Sequence, residues 1–345
     1  MKPATVVASL KLMRAVVITK HGGFDVLKVQ DVPEPAVPGP GQVAVDVHAA
    51  GVNFADTMAR VGLYADAPKV PSIVGYEVAG LVSALGEGVT DVSVGDRVLG
   101  GTRFGGYAER VVIGVRDVVP LPDHLSFEQG AAIPVNYSTA WAGLVRYGST
   151  QPGERILLHA AAGGVGIAAT QIARTLDVEI HGTASPSKHE AIRGFGVDVA
   201  HDYTRPDWHR DLPPFDVIMD AVGGKNFRIS YDLLRPGGRL VAFGASAVMD
   251  GEGRNLVKAL RTVVQMPRFN LIKQMSASKA VIGLNMLSLW DDVGTLEPWI
   301  TPLRALIDDG TIQPVVAEAF SFDRAGDAHR MLAERRNIGK VVLVP

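Results

Sequence analysis

The chain has 345 residues, 47% of them hydrophobic, and a formal net charge of −2. That length exceeds what a single hydrophobic core usually supports, so two domains are expected, and the near-neutral charge offers no general attraction for nucleic acid or acidic membranes. With no cysteine there are no disulfides and no thiolate metal sites, and no apolar run approaches the length of a membrane span.

Residues 1–12, MKPATVVASLKL, lack the long apolar core and cleavage site of a signal peptide. They read as a flexible extension of a cytoplasmic protein whose fold starts near Met13. Arg14–Thr19 is a predicted strand, and Leu27–Val32 alternates apolar and polar residues as a half-buried strand does. Pro33, Pro35, Pro38 and Pro40 form a rigid connection, Gln42–Ala49 alternates again, and Ile73–Val98 holds short β segments between turns at Gly86, Gly88 and Gly95. Many short strands at regular spacing predict a barrel-like, β-rich domain.

From about Val135 the pattern becomes α/β. Predicted strands are Arg155–Ala160, Val178–Thr183, Val197–His201, Phe215–Asp220, Arg239–Gly244 and Ala280–Leu284, with helices in most gaps. Alternating β and α with six strands predicts a doubly wound parallel sheet of Rossmann type. Pro302–Asp309 then reads as a helix, and Ile338–Val344 as a strand that rejoins the first domain. The expected division is therefore residues 13–134 with 288–345, and residues 135–287.

Arg155–Gln171, RILLHAAAGGVGIAATQ, is a strand, a small-residue turn and an apolar helix. Against G-x-G-x-x-G, Ala161, Gly163 and Gly166 hold the three template positions; the second glycine admits a pyrophosphate and the third lets helix pack on strand. Ala162, Gly163, Gly164, Val165 and Gly166 are thus expected to hold the phosphates of a dinucleotide at the helix N-terminus. About twenty residues on, where an NAD site places a carboxylate, the chain reads Thr183-Ala184-Ser185, followed by Lys188. A missing acid and an added base favour the 2′-phosphate of NADPH. Lys188 taken alone also reads as a solvated lysine at a helix start.

The segments GVNFADTMARVGLY (Gly51–Tyr64), GYEVAG (Gly75–Gly80), GDRV (Gly95–Val98), HAAAGGVG, GTASPSKHEA (Gly182–Ala191) and NIGKVVLVP resemble those of zinc-independent quinone oxidoreductases in the medium-chain dehydrogenase/reductase superfamily, close to the branch of the synaptic-vesicle membrane protein homologues. The resemblance spans Met13 to Pro345. It implies an α/β protein with a GroES-like, β-rich catalytic domain and a Rossmann domain, forming a homodimer through the strand near Ala280–Leu284. In the zinc-dependent relatives a histidine stands where Tyr76 is and a cysteine near Asn53, so no catalytic metal is expected. By the same resemblance Asn53 and Tyr64 face the reacting ring and Thr139 contacts the cofactor's ribose. Tyr203 helps to hold the phosphate or adenine. Gly244, Ser246 and the backbone around Ile282 to Leu284 bind the carboxamide end, and Asn337 and Lys340 close the site.

Without a Lewis acid, hydride transfer suits an acceptor that spreads negative charge over a conjugated system, as a quinone or enone does. Asn53 would orient it and Tyr64, or water in its place, would supply a proton. Two alternatives are an enoyl-thioester reductase and a nucleotide-binding protein at a lipid surface without turnover. Residues 250–280 carry Arg254, Lys258, Arg261, Arg268, Lys273 and Lys279 against Asp250 and Glu252, with Leu256, Leu260 and Val264 at helical spacing and Pro267 interrupting. That pattern fits a membrane-surface helix or a face packed over the cleft or a partner subunit.

Overall fold

β-Branched and small residues alternating along the first third of the chain build strands that bury one face. The structure is a computed structural model that describes residues 11–249, 251–253 and 255–345. The expected N-terminal extension lies outside the described residues over its first ten positions. Its last residue, Leu12, already pairs with Pro33, so the fold starts one residue before Met13.

Strands β1 (Leu12–Ile18) and β2 (Leu27–Pro33) form an antiparallel pair. A seven-stranded sheet follows from β3 (Gln42–Val52), β4 (Glu77–Leu85), β5 (Arg97–Gly101), β6 (Arg110–Gly114) and β7 (Val118–Pro120), completed from far along the chain by β14 (Val316–Ser321) and β15 (Lys340–Val344). Its order is β14-β15-β3-β4-β5-β7, with β6 on β3. The returning strand therefore joins the first domain, as its sequence predicts.

The second sheet has six parallel strands, β8 (Arg155–Leu158), β9 (Glu179–Ala184), β10 (Val199–Asp202), β11 (Phe215–Asp220), β12 (Leu234–Ala242) and β13 (Ala280–Gly283), in the order β10-β9-β8-β11-β12-β13. This is the doubly wound order, whose reversal point beside β8 is where a dinucleotide binds. All six residues of β11 are buried, as a central strand covered on both faces demands. Its two carboxylates are satisfied: Asp216 pairs with Arg235 and accepts from the Arg155 N–H, while Asp220 accepts from Val222, Gly223, Asn226 and Ser230.

The helices that position the site are α1 (Phe54–Arg60), α2 (Phe127–Gly130), α3 (Pro134–Trp141), α4 (Gly164–Arg174), α5 (His189–Gly194) and α6 (Asn226–Asp232). Residues 250–280, expected as one interrupted helix, form two, α7 (Leu256–Val264) and α8 (Leu271–Ala277). Pro267 lies between them, where it ends the helical run; Asp250 and Arg254 lie outside the described residues. The helix expected over Pro302–Asp309 is one 3₁₀ turn, Thr301–Leu303, and a short helix, Arg304–Asp308. Among the described residues no helix is long and apolar enough to cross a membrane.

Candidate active site

A cleft of about 1240 Å³ runs between the two sheets. One wall is the first turn of the parallel sheet. α4 begins at Gly164 with Gly163 as its N-cap and no side chain on the cap, which leaves its first N–H groups facing the cleft. A Cβ on Gly166 would lie 2.5 Å from the Ala160 carbonyl oxygen, so the third glycine is required by helix–strand packing. A Cβ on Gly163 would meet protein only at that same oxygen, 3.3 Å away. The space it leaves is open to a ligand, which is what a pyrophosphate cradle requires.

Beneath the turn, Ser230 Oγ donates to Asp220 and accepts from His159 Nε2 at 3.1 Å, while His159 Nδ1 meets Thr183 Oγ1 at 3.2 Å. With Ser230 donating to Asp220, the proton of the pair with His159 sits on Nε2, and burial lowers the His159 pKa. His159 lies in the turn just after β8 and lines the cleft, with both ring nitrogens held by side chains of the same domain. At the end of β9, Ser185, Lys188 and Tyr203 line the cleft together with Arg205, which the sequence reading missed although it stands two residues past Tyr203. The Lys188 ammonium donates to the carbonyls of Arg335 and Asn337 at 2.7 and 2.6 Å, and burial lowers its pKa. Asp207 on this rim is paired with Arg210. Hydroxyl, ammonium and guanidinium groups around open backbone N–H groups form a donor set that fits a dinucleotide carrying a further phosphate.

The other wall is polar only at a few points. Asn53 caps α1 and is 8% exposed. The antiparallel register of β15 on β3 pairs Val341 with Val52, which brings Lys340 beside Asn53. Lys340 Nζ donates to Asn53 Oδ1 at 2.6 Å and forms a buried ion pair with Glu77. Glu77 in turn accepts from Asn53 Nδ2 at 2.9 Å and from the Val135 N–H at 2.7 Å. An ammonium only donates and a carboxylate only accepts, so the pair fixes which way the Asn53 amide points. Glu77, absent from the sequence-derived site, was signalled by the GYE motif.

Behind Asn53 lies Asp56, fully buried, accepting from the Asn53 and Gly75 N–H groups and from the Tyr107 hydroxyl. Burial outweighs these bonds and raises its pKa to about 6. Tyr64 is half-buried, and burial first, then Asp66, raises its pKa, keeping it a proton donor at neutral pH. Phe54, Met58, Leu287 and Trp290 make the surroundings apolar.

Every other sequence-derived position, Thr139, Ala162, Val165, Gly244, Ser246, Leu284 and Asn337, lines the cleft, and Ile282 does not. Ile282 points from β13 into the hydrophobic core. Lys340 is present, yet its ammonium is committed to Glu77 and Asn53. Among the described residues no group of three or more His, Cys, Asp or Glu is placed to hold a metal.

Arg60 stitches the walls together: it donates to Gly22 O and, at 2.9 Å, to Glu252 O, and stacks over Phe24. The returning segment does the same where Gly339 N–H donates to Ala162 O at 2.9 Å and Gly339 bridges to Gly163.

Comparison with known proteins agrees with this architecture. The zinc-binding dehydrogenase family matches residues 195–343 and the alcohol dehydrogenase GroES-like domain matches residues 39–123. The human synaptic vesicle membrane protein VAT-1 homolog is 39% identical over 97% of this chain and 87% of its own length. Among solved structures, a quinone oxidoreductase from Pseudomonas syringae is similar at 32% identity and TM-score 0.81, covering 96% of this chain and 100% of its own. A mycobacterial protein complexed with NADPH is similar at 30% identity and TM-score 0.83, covering 96% and 100%. The CurK enoyl reductase is similar at 26% identity and TM-score 0.83, covering 97% and 99%.

Proposed function

The chain belongs to the medium-chain dehydrogenase/reductase superfamily, beside the synaptic vesicle membrane protein homologues, and from that premise we propose that it is an NADPH-dependent, zinc-independent reductase of conjugated acceptors, a quinone or an α,β-unsaturated carbonyl. The observation that carries this reading is the division of the cleft: hydroxyl and cationic side chains at the end of β9, and an apolar half whose polar groups are an oriented amide and phenols. NADPH, when bound, supplies the hydride. Gly163 and the N-terminus of α4 hold its pyrophosphate, and Ser185, Lys188, Tyr203 and Arg205 surround its 2′-phosphate. Asn53 donates to the acceptor through its remaining amide N–H, and Tyr64 gives a proton to the developing anion.

The test is NADPH oxidation with simple quinones, enones and a crotonyl thioester, repeated with NADH and with a chelator. Chelator-resistant, NADPH-preferring turnover of quinone or enone is expected, and Tyr64→Phe lowers it with little change in NADPH affinity. Faster turnover of the thioester would instead make it an enoyl-thioester reductase. NADPH binding with no turnover would sink the reductase reading.

A second reading concerns α7 and α8. Leu256, Val257, Leu260, Val263, Val264, Leu271, Ile272 and Met275 are all more than half exposed, with Arg261, Arg268 and Lys273 among them. A face of this size on an otherwise polar exterior, with cations beside it, fits an anionic lipid surface reached from the cytoplasm. Co-sedimentation with anionic vesicles at low salt is expected, and its absence removes the idea. The free edge of β13 fits pairing with a second copy, which sedimentation analysis would reveal as a dimer.

A further inference from the structure

Tyr76 stands where metal-dependent relatives carry a histidine, and the chemistry above leaves it without a task. The backbone turns it inward: Gly75 has φ +99°, and a Cβ there would lie 2.6 Å from the Tyr107 ring. Phe104 tilts against the Tyr76 ring at 5.1 Å, and Tyr64 meets it edge-on with centroids 6.5 Å apart and planes at 90°. Tyr76 is 7% exposed, and its hydroxyl is buried with no hydrogen-bond partner among the described residues. A buried hydroxyl left unpaired is costly, and such groups call for a functional account. Tyr64 and Tyr76 line the same cleft as Asn53.

We propose that Tyr76 is a positioning residue for Tyr64: its hydroxyl donates to the Tyr64 oxygen as Tyr64 gives up its proton, leaving the Tyr64 O–H directed at an acceptor in the cleft. A phenol has one proton to donate, so a Tyr64 that accepts from Tyr76 keeps its own for the substrate. This rests on the reductase reading. After the acceptor has gained hydride at carbon, the Tyr64 O–H bond breaks and its proton passes to the acceptor's anionic oxygen. The phenolate left behind is held by the Tyr76 donor until water returns a proton. The groups facing Tyr64 are Asp66, Asp56 and Asp291, which all disfavour a phenolate, and the Tyr76 hydroxyl, which opposes them. Those facing Tyr76 are Asp56, Tyr64 and Asp66.

Tyr76→Phe keeps the ring and removes the unpaired hydroxyl, so its thermal midpoint should not fall. Its kcat should drop about tenfold with KM within about twofold, and Tyr64→Phe/Tyr76→Phe should be no slower than Tyr64→Phe alone. A wild-type kcat in Tyr76→Phe, or single effects that multiply in the double variant, overturns the proposal. A second readout needs no acceptor. In protein labelled with 3-fluorotyrosine, the ¹⁹F resonance lost in Tyr64→Phe identifies Tyr64, and in Tyr76→Phe it should titrate at higher pH than in the parent. An unchanged titration overturns the pairing whether or not turnover is seen, whereas a shifted titration with no turnover on any acceptor sinks the reductase reading and leaves the pairing standing.

Discussion

The two walls of the cleft are made by different means. The nucleotide wall is local: one strand, one turn and one helix within Arg155–Arg174 supply the cradle, and backbone groups make it. The opposite wall is assembled across the chain, with Lys340 and Asn53 meeting at a separation of 287 residues. A wall of backbone is limited by space, so its weak point is any added atom. A wall of buried charge is limited by pairing, so its weak point is any removed atom.

That contrast is broken most severely at Lys340. Lys340→Met should strand the Glu77 carboxylate in the interior and lower stability by about 3–5 kcal/mol in urea unfolding, and adding Glu77→Gln should restore much of it. A loss below 1 kcal/mol would show that the pair is not structural. Next is Asp56, whose pKa rises from 3.8 to about 6 on folding. The neutral acid is the form that folding favours, so the stability it contributes is full below pH 4 and is lost as pH rises through 6. Relative to Asp56→Asn, the wild type should lose on the order of 3 kcal/mol over that window; a pH-independent difference would refute the raised pKa.

On the nucleotide wall the two glycines should separate folding from binding. Gly166→Ala should lower the stability of the ligand-free protein by about 1–3 kcal/mol. Gly163→Ala, whose Cβ would meet the Ala160 carbonyl oxygen at 3.3 Å rather than 2.5 Å, should cost less stability than Gly166→Ala and weaken NADPH at least roughly tenfold in fluorescence titration, about 1.4 kcal/mol. The smallest effect is expected at Leu260, which is 66% exposed on α7. Leu260→Asp should change stability by no more than about 0.5 kcal/mol and leave turnover intact, while weakening any attachment to vesicles.

The same division explains what was readable in the sequence. All six strands of the parallel sheet and the glycine turn were legible because period, length and turn chemistry are local signals. So was the returning strand, whose apolar run has no other place to pair. Tyr203 pointed to the rim but its neighbour Arg205 was passed over, because a charged residue in a loop carries no pattern. The end of β13 was expected at the cleft by family likeness, and there Leu284 lines it while the Ile282 side chain packs against the core. Glu77 stood in the GYE motif but its partner Lys340 did not show, and Asp56 was not recognisable at all, since a carboxylate in a sequence does not declare what faces it. The interruption of the apolar helical pattern at Pro267 was legible, but the second helix beyond it was not, because the periodic residues read from the sequence, Leu256, Leu260 and Val264, all precede that proline.

The placement of β15 also has a consequence for biosynthesis. Until residues 340–344 have left the ribosome, the β3 edge that β15 covers stays open, although β3 itself was made some 290 residues earlier. The parallel sheet, contiguous in sequence, is complete by Gly283 and can form first. The long-lived open edge is then a segment of the nascent chain exposed to a chaperone or to another copy, and the same late residues that seal it carry Lys340, the buried partner of Asn53 and Glu77. A chain interrupted before Lys340 is therefore left with both its sheet and its chemistry unfinished.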